Sequence, residues 1–568
     1  MERIYTNNGK YAFGCALSIV VFQYTFSLWR HWPIEVRAVV TDLLLLTYFT
    51  WCGLFFQKRQ RLGFTFFTIF FIALFLAVDL KYVFQQDWLK VSDFRMIEEC
   101  FLSFPLVLTL PLTTLVLAPI IGILWNFQRL SMPRQLLWCL PALIWSIGTC
   151  TTPQSVLTAM EKIHTYRYWE GNSFFQKGVL FALLYDVPRT IALKAKYNAI
   201  KSHHTPQTSN PCMALSATAT KRNVHLFVLE SLMDPVQMGM PLTTDPIDFR
   251  MRSWFGGSVL ASTYGGGTAQ AEFEMLCGTP VYDLAETIVF HNLRGGPSAC
   301  LPRALEDNGY TALSTVAVPP SYYNYANAYR SMGFSQTYFQ DAFPGNDKDG
   351  VWISNEEHVM VNKALIAPFL EQHTPILNYL ITSSGHVEYE LNAERRPPVL
   401  TTNLGEQVIR MINNLYYNSR TISDYIDFLR VHDPTAIIIV ISDHQGYLDY
   451  MSTTKHAYWE PKNTDTIIAK YQVPYLFLDA GQKKNFGLIT HYEIPHMILA
   501  ALKGETYQPL ARLYGFDLIR PMYAKTLYAL DGALMFCPNP DDFNCPRLEA
   551  FHAEAIPRLL GLIEQSRK

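Results

Sequence analysis

Five long, nearly uncharged apolar runs crowd into the first 160 of 568 residues, and the remainder of the chain does not continue the pattern. They cover 11–29, 43–57, 62–78, 100–128 and 135–160. A helix needs about 20 apolar residues to cross a bilayer, so this spacing predicts five transmembrane helices over 1–160. Asp42 and Asp79 fall near the ends of the second and third runs, where an acid reaches the interface rather than the hydrocarbon centre. The first run exceeds the apolar core of a cleaved leader and is followed by Arg30 without a small-residue cleavage pattern, so it reads as a retained span.

Charge placement gives these spans a direction. With the amino terminus inside, Lys58, Arg59, Arg61, Arg129 and Arg134 lie in cytoplasmic loops, whereas Arg30 and Arg37 lie in the opposite one. An odd number of spans then puts everything after about residue 160 on the outer side of the membrane. A formal charge of −2 leaves no basic surplus for a phosphate backbone, which excludes nucleic acid as the main partner. Cys277 with Cys300 and Cys537 with Cys545 are two possible disulfide pairs for an oxidising compartment. Five cysteines follow residue 200, so one stays unpaired and connectivity is open.

Residues 161–220 end in a Ser/Thr/Pro/His-rich stretch and read as a connector. Beyond it, over 221–568, short apolar runs alternate with helical segments: 224–229, 311–317, 376–381, 436–441 and 473–478. That alternation predicts an α/β domain with a mostly parallel sheet. Ligands gather beyond the carboxyl ends of such strands. There the chain places Glu230 and Ser231, then a TSSGH segment ending at His386, then Ser442, Asp443 and His444. Each acid alone reads equally as a helix cap, but Glu, Asp and His together are the donors a divalent cation takes. Gly265, Gly266 and Gly267 precede Thr268 and an amphipathic helical pattern, which puts the threonine where backbone N–H groups and the helix dipole favour negative charge.

At this point the chain resembles the membrane-anchored phosphoglycerol transferases of the alkaline phosphatase and sulfatase superfamily, the lipoteichoic acid synthase type. The motifs VLES at 228–231, GGGTAQAEFEMLCG at 265–278, TSSGH at 382–386 and SDHQG at 442–446 carry the resemblance in order. It implies that Glu230, Thr268, Asp443 and His444 hold one divalent metal, Mn²⁺ or Mg²⁺ before Zn²⁺, that Thr268 is the nucleophile, and that His386 contacts the phosphoryl group. It further implies a bacterial cytoplasmic membrane protein with its catalytic domain outside, a phospholipid donor with phosphatidylglycerol favoured, and an acceptor hydroxyl on an envelope glycan or a polyglycerolphosphate. Phosphoethanolamine transfer by the same chemistry and a sulfatase-like hydrolase are the competing readings. The nucleophile region lacks the Cys/Ser-x-Pro/Ala-x-Arg context from which sulfatases make formylglycine.

The segment 321–334 aligns with the donor pocket of the synthase type, and Tyr322, Tyr323 and Asn324 are the substrate-binding candidates. Tyr325 stands where that family has arginine. Arg330 either supplies the missing charge or is a solvated helix residue, and His456 either reaches the site from a loop or lies on the surface. His491 and His496 read as structural, and Trp352 as a cleft or core residue.

Overall fold

The computed structural model describes residues 2–29, 36–85, 106–127, 133–163, 178–203, 221–282, 288–386, 388–448, 470–522, 525–531, 533–536 and 546–567. The chain divides into two compact units, 1–198 and 199–568.

The first unit is helical: α1 Glu2–Trp29, α2 Val36–Phe55, α3 Gln60–Gln85, α4 Leu106–Trp125, α5 Pro133–Thr151, α6 Pro153–Ile163 and α7 Val179–His203. Each predicted span thus carries a helix. Among the described residues two helices, Val36–Leu54 and Gln60–Asp79, are long and apolar enough to cross a membrane by length and composition. On other helices large apolar side chains face outward at helical spacing: Leu117, Ile121 and Leu124 on α4, and Leu140, Ile144 and Ile147 on α5.

Asp42 and Asp79, expected near the ends of their spans, are both buried within this unit rather than open to solvent. The reason is a hydrogen-bonding duty. The N–H groups of Val179 and Leu180 donate to the Asp42 carboxylate at 2.9 and 3.0 Å, and the Tyr24 hydroxyl donates to it at 3.0 Å. Asp42 therefore caps the first turn of α7 from another helix, satisfying N–H groups that a helix start leaves unpaired. Gly178 has φ +102°, and a Cβ there would lie 2.6 Å from Asp42 Oδ1, so glycine is what lets the carboxylate approach. Asp79 accepts from Gln23 Nε2 at 2.6 Å. Part of the expected connector is accordingly a packed helix, with Val179, Leu180, Phe181, Ala182 and Tyr185 in the core of the first unit.

The second unit is built on a nine-stranded sheet in the order β11-β2-β9-β8-β1-β7-β3-β4, with β10 pairing β9. Its centre is β1 Val224–Leu229, flanked in parallel by β7 Ile376–Ile381 and β8 Ile437–Ser442. These three strands are buried throughout, which accounts for their mostly apolar sequences; the buried His225 and Asn378 hydrogen-bond to each other. β3 Thr311–Val316 and β4 Gln336–Tyr338 extend the parallel side. β9 Gln472–Asp479 departs from the expected pattern, running antiparallel to both β8 and β2 Phe255–Leu260, so the sheet is mixed. An apolar run buried on both faces has the same composition in either direction, and only its connections decide. β10 Gln482–Lys483 and β11 Gly487–Thr490 complete the sheet.

The remaining elements around the sheet are α8 Phe249–Trp254, α9 Thr268–Cys277, α10 Leu301–Glu306, α11 Tyr325–Met332, the hairpin β5 Lys348–Asp349 with β6 Trp352–Ile353, α12 Asn355–Glu371, α13 Glu406–His432 and α14 Ile494–Lys503. A separate antiparallel sheet, β12 Leu518–Met522, β13 Lys525–Leu530 and β14 Ala533–Phe536, precedes α15 Glu549–Gln565. Cys277 at the end of α9 is disulfide-bonded to Cys300 just before α10; Cys537 and Cys545 lie outside the described residues.

The Asp42 cap generates a stability prediction. Asp42→Ala strands two backbone N–H groups and a phenol, each costing about 1–3 kcal/mol when buried unpaired. The detergent-solubilised variant should melt well below wild type, with Asp42→Asn, which keeps one acceptor oxygen, between them. Equal melting temperatures would contradict the cap.

Candidate active site

The register of the parallel strands brings the predicted residues together. Leu229 is level with Ser442 across β1 and β8, and Val228 with Ile381 across β1 and β7. Glu230, the 382–386 loop and Asp443–His444 consequently leave the sheet at one rim. Glu230 N–H donates to Thr382 Oγ1 at 3.0 Å, and Ser231 N–H donates to Asp443 Oδ1 at 2.9 Å, tying the three strand ends to one another. A Cβ on Gly385 would lie 1.9 Å from the Glu230 carbonyl oxygen, so the glycine of TSSGH permits that contact.

Thr268 arrives from the other side as the first residue of α9. Gly265, Gly266 and Gly267 all have positive φ (68°, 155° and 87°), a run that side chains would oppose. Gly265 N–H donates to Gln445 O at 2.9 Å, which fastens the turn to the Asp443–His444 loop. The result is a buried quartet. Thr268 Oγ1 is 3.2 Å from Glu230 Oε2 and 3.4 Å from His444 Nε2, and His444 Nε2 is 3.2 Å from Asp443 Oδ2. His444 Nδ1 faces the Gln445 carbonyl at 3.1 Å; a carbonyl only accepts, so in the neutral ring Nδ1 carries the proton and Nε2 turns its lone pair to the centre.

Glu230, Asp443 and His444 can hold a metal ion, since one donor atom from each lies within 4.8 Å of the others. The residues fit that use. Asp443 Oδ2 is buried with no hydrogen-bond partner. Burial first, and the neighbouring Asp443 charge second, push the Glu230 carboxyl up to about 8. Two carboxylates crowded in an apolar rim, with an imidazole held as an acceptor, form a donor set that a divalent cation relieves.

His386 lies beside the quartet, its Nδ1 3.8 Å from Glu230 Oε1. Its ring is stacked on the Trp352 indole, centroids 4.2 Å apart with planes inclined by 25°. Burial lowers its pKa to about 4, leaving the ring neutral near pH 7.

The expected donor segment is only partly available. Tyr322 and Tyr323 are half-buried, with ring centroids 4.4 Å apart. Asn324 donates to the Phe290 and Leu293 carbonyls at 2.7 and 2.9 Å, and its own oxygen accepts from Asn327. The amide thus holds the loop together. Tyr323 and Asn324 both have positive φ, 46° and 62°, a strained conformation of the kind that gathers at binding sites. Arg330 is exposed near the end of α11 beside Gly295. Tyr325 is buried, its hydroxyl given to Glu272 at 2.6 Å. His456 lies outside the described residues.

Sequence reasoning missed Glu272. One turn beyond Thr268 on α9, it accepts from Tyr325, Tyr329 and Tyr379, so it joins α9 to α11 and to the strand that leads to His386. Burial raises its pKa to about 7. Its position four residues after Thr268, on the same helix face, was the available signal. Arg520 was also missed. Wholly buried on β12, it makes a bidentate pair with Glu274 of α9 at 2.6 and 3.2 Å. His491 and His496 are structural as expected, bonding to the carbonyls of Ser442 and Gly278.

Comparison with known proteins bears on this geometry. Residues 222–504 match the sulfatase family model, so this stretch of the chain is a sulfatase-like domain. A Rhizobium meliloti (strain 1021) protein named for cyclic beta-1,2-glucan modification is 24% identical over 452 residues, 74% of this chain and 70% of its own. Among solved structures the chain is similar to the lipoteichoic acid synthase LtaP of Listeria monocytogenes, with 16% identity, TM-score 0.46, and coverage of 66% of this chain and 97% of that one. It is similar as well to the Streptococcus pyogenes phosphoglycerol transferase GacH, solved with sn-glycerol-1-phosphate, at 14% identity and TM-score 0.42 over 65% and 91% of the two chains.

Arg520 supplies the prediction here. Removing one member of a buried ion pair costs about 3–5 kcal/mol because the other charge is stranded. Arg520→Met should therefore lower the melting temperature markedly, and Glu274→Gln in the same chain should restore part of the loss. A double variant no more stable than Arg520→Met would contradict the pairing.

Proposed function

We propose that this protein transfers phosphoglycerol from phosphatidylglycerol to a hydroxyl of a cell-envelope glycan or polyglycerolphosphate, through a covalent threonine intermediate. The observation that carries the reading is the placement of Thr268 Oγ1 at a helix amino terminus, 3.2 Å from Glu230 and 3.4 Å from His444. Glu230, Asp443, His444 and Thr268 would hold one Mn²⁺ or Mg²⁺. When bound, the cation makes the threonine hydroxyl acidic and offsets charge on the phosphoryl oxygens.

Thr268 Oγ attacks phosphorus, the bond to the diacylglycerol oxygen breaks, and diacylglycerol leaves with a proton. The acceptor hydroxyl then attacks the same phosphorus and Thr268 departs. The amino-terminal end of α9, with its positive helix-dipole end, faces the developing negative charge. His386, edge-on to Glu230, contacts a phosphoryl oxygen or carries the proton at either step. Tyr322 and Tyr323 provide phenols and aromatic faces for the head group. The relative named for glucan modification favours a glycan acceptor. The same aromatic faces would accept an ammonium, which keeps phosphoethanolamine transfer as the second reading.

A phospholipid donor suits a membrane-anchored enzyme. Helices lie over all five predicted spans, the fifth as the pair α5 and α6, and the apolar side chains turned outward on α4 and α5 support a membrane-spanning reading. The Cys277–Cys300 disulfide supports an oxidising compartment for the catalytic domain, outside the cytoplasmic membrane.

Three experiments test these readings. Purified enzyme given head-group-labelled phosphatidylglycerol or phosphatidylethanolamine should release diacylglycerol from the former; release from phosphatidylethanolamine alone would replace the first reading with the second. Thr268→Ala and Asp443→Asn should each lose activity by several orders of magnitude while remaining folded, and retention of about a tenth by Thr268→Ala would sink the covalent route. For topology, an alkaline phosphatase fusion after residue 220 should be active and one near residue 60 inactive, following the charge bias of the loops. The reverse pattern would overturn the orientation.

A further inference from the structure

His386 is the member of the site least constrained by the quartet, since its nearest approach, 3.8 Å from Glu230, is too long for a hydrogen bond. What holds it is the β5–β6 hairpin. Ile353 and Trp352 are successive residues of β6, and successive strand residues face opposite sides. Ile353 packs into a small cluster with Ala317 and Phe343. Trp352 points the other way, half-exposed, onto the His386 ring at 4.2 Å.

Both partners of that stack are tied to one carboxylate. Asp349 pairs with Trp352 across the hairpin. Its Oδ2 accepts the Ser384 hydroxyl at 2.7 Å, two residues before His386, and its Oδ1 accepts Asn392 N–H at 3.0 Å and Arg396 Nε at 2.9 Å. Buried Arg396 also spans Asp347 at 2.7 and 2.9 Å and Glu356 at 2.9 Å, while Asn414 Nδ2 holds the Ser384 carbonyl at 2.6 Å. The network surrounds the hairpin and the TSSGH loop and closes on the stack. A tryptophan serving only as core would lie within the cluster that Ile353 occupies; this one lies flat against a reaction-centre imidazole.

We propose that Trp352 is a positioning residue for His386: the indole covers one face of the imidazole, fixes its plane, and keeps the Nδ1 edge turned toward Glu230. The inference rests on the reading of His386 as part of the reaction centre. An unsupported imidazole on a glycine-containing loop would rotate about its side-chain bonds, and a misplacement of about 1 Å can cost up to 10²-fold in rate.

The test uses full-length protein in detergent and two variants, Trp352→Leu, which keeps bulk without a ring face, and Trp352→Phe, which keeps a face. Carbon-bound proton resonances of ¹³C-labelled histidine, with His386 assigned by their loss in His386→Gln, report the stack directly. Turnover is measured on phosphatidylglycerol and on the chromogenic diester bis(4-nitrophenyl) phosphate. The expected result is an upfield ring-current shift of His386 in wild type and Trp352→Phe that disappears in Trp352→Leu. With it, kcat of Trp352→Leu should fall on the order of ten- to a hundredfold at little-changed KM, with Trp352→Phe near wild type and all melting temperatures similar. An unshifted His386 in wild type, equal kcat losses in the two variants, a change in KM alone, or a lost shift with kcat intact would each overturn the proposal. If the diester is turned over and the lipid is not, the donor assignment fails while the diester kinetics and the histidine spectrum still decide the role of Trp352.

Discussion

Two carboxylates, Glu230 and Asp443, are held together in a buried rim from strands more than 200 residues apart in sequence, and much of the catalytic unit is arranged to keep them there. Water would separate such charges, and burial makes their approach costlier. The chain opposes this with backbone: Ser231 and His444 N–H groups both donate to Asp443 Oδ1. The Ser231 hydroxyl donates to Glu230 Oε1 at 2.7 Å. One Asp443 oxygen is left without a hydrogen bond, aimed at the centre where Thr268 and His444 also converge. The site is compact because the parallel register of β1, β7 and β8 gives three strand ends at one level.

Around that centre, support increases with distance. The glycine turn lets α9 begin at Thr268. Glu272 gathers three tyrosines and Glu274 takes Arg520, so one turn of α9 is fixed from opposite sides. The disulfide holds the far end of the helix. Arg520 comes from the sheet that follows the family-matched segment 222–504, so residues beyond that segment help set the position of α9.

The elements of the site were legible because chemistry and punctuation coincide in the sequence. Glu230, His386 and Asp443–His444 each follow a buried apolar run, and three glycines announce Thr268. What escaped had no local signature. β9 is apolar on both faces in either direction, so its antiparallel pairing with β8 and β2 depends on connections. Asp42 looked like an interfacial acid because its partners, the N–H groups of Val179 and Leu180, come from a helix 137 residues away that polar residues had disguised as a connector. Tyr325 stands where the resembled family has arginine, but its hydroxyl is given to Glu272, a pairing set by tertiary packing. The stack of Trp352 on His386 is likewise invisible until two loops meet.

Intact-mass and peptide mass spectrometry of the purified full-length enzyme tests the account's central claim most directly, after incubation with manganese and phosphatidylglycerol in the absence of acceptor. The account predicts one added glycerophosphoryl group, mapped to Thr268, absent from Asp443→Asn protein and lost when an acceptor glycan is supplied. Diacylglycerol release by wild type with no adduct on Thr268, or an adduct on another residue, would contradict it.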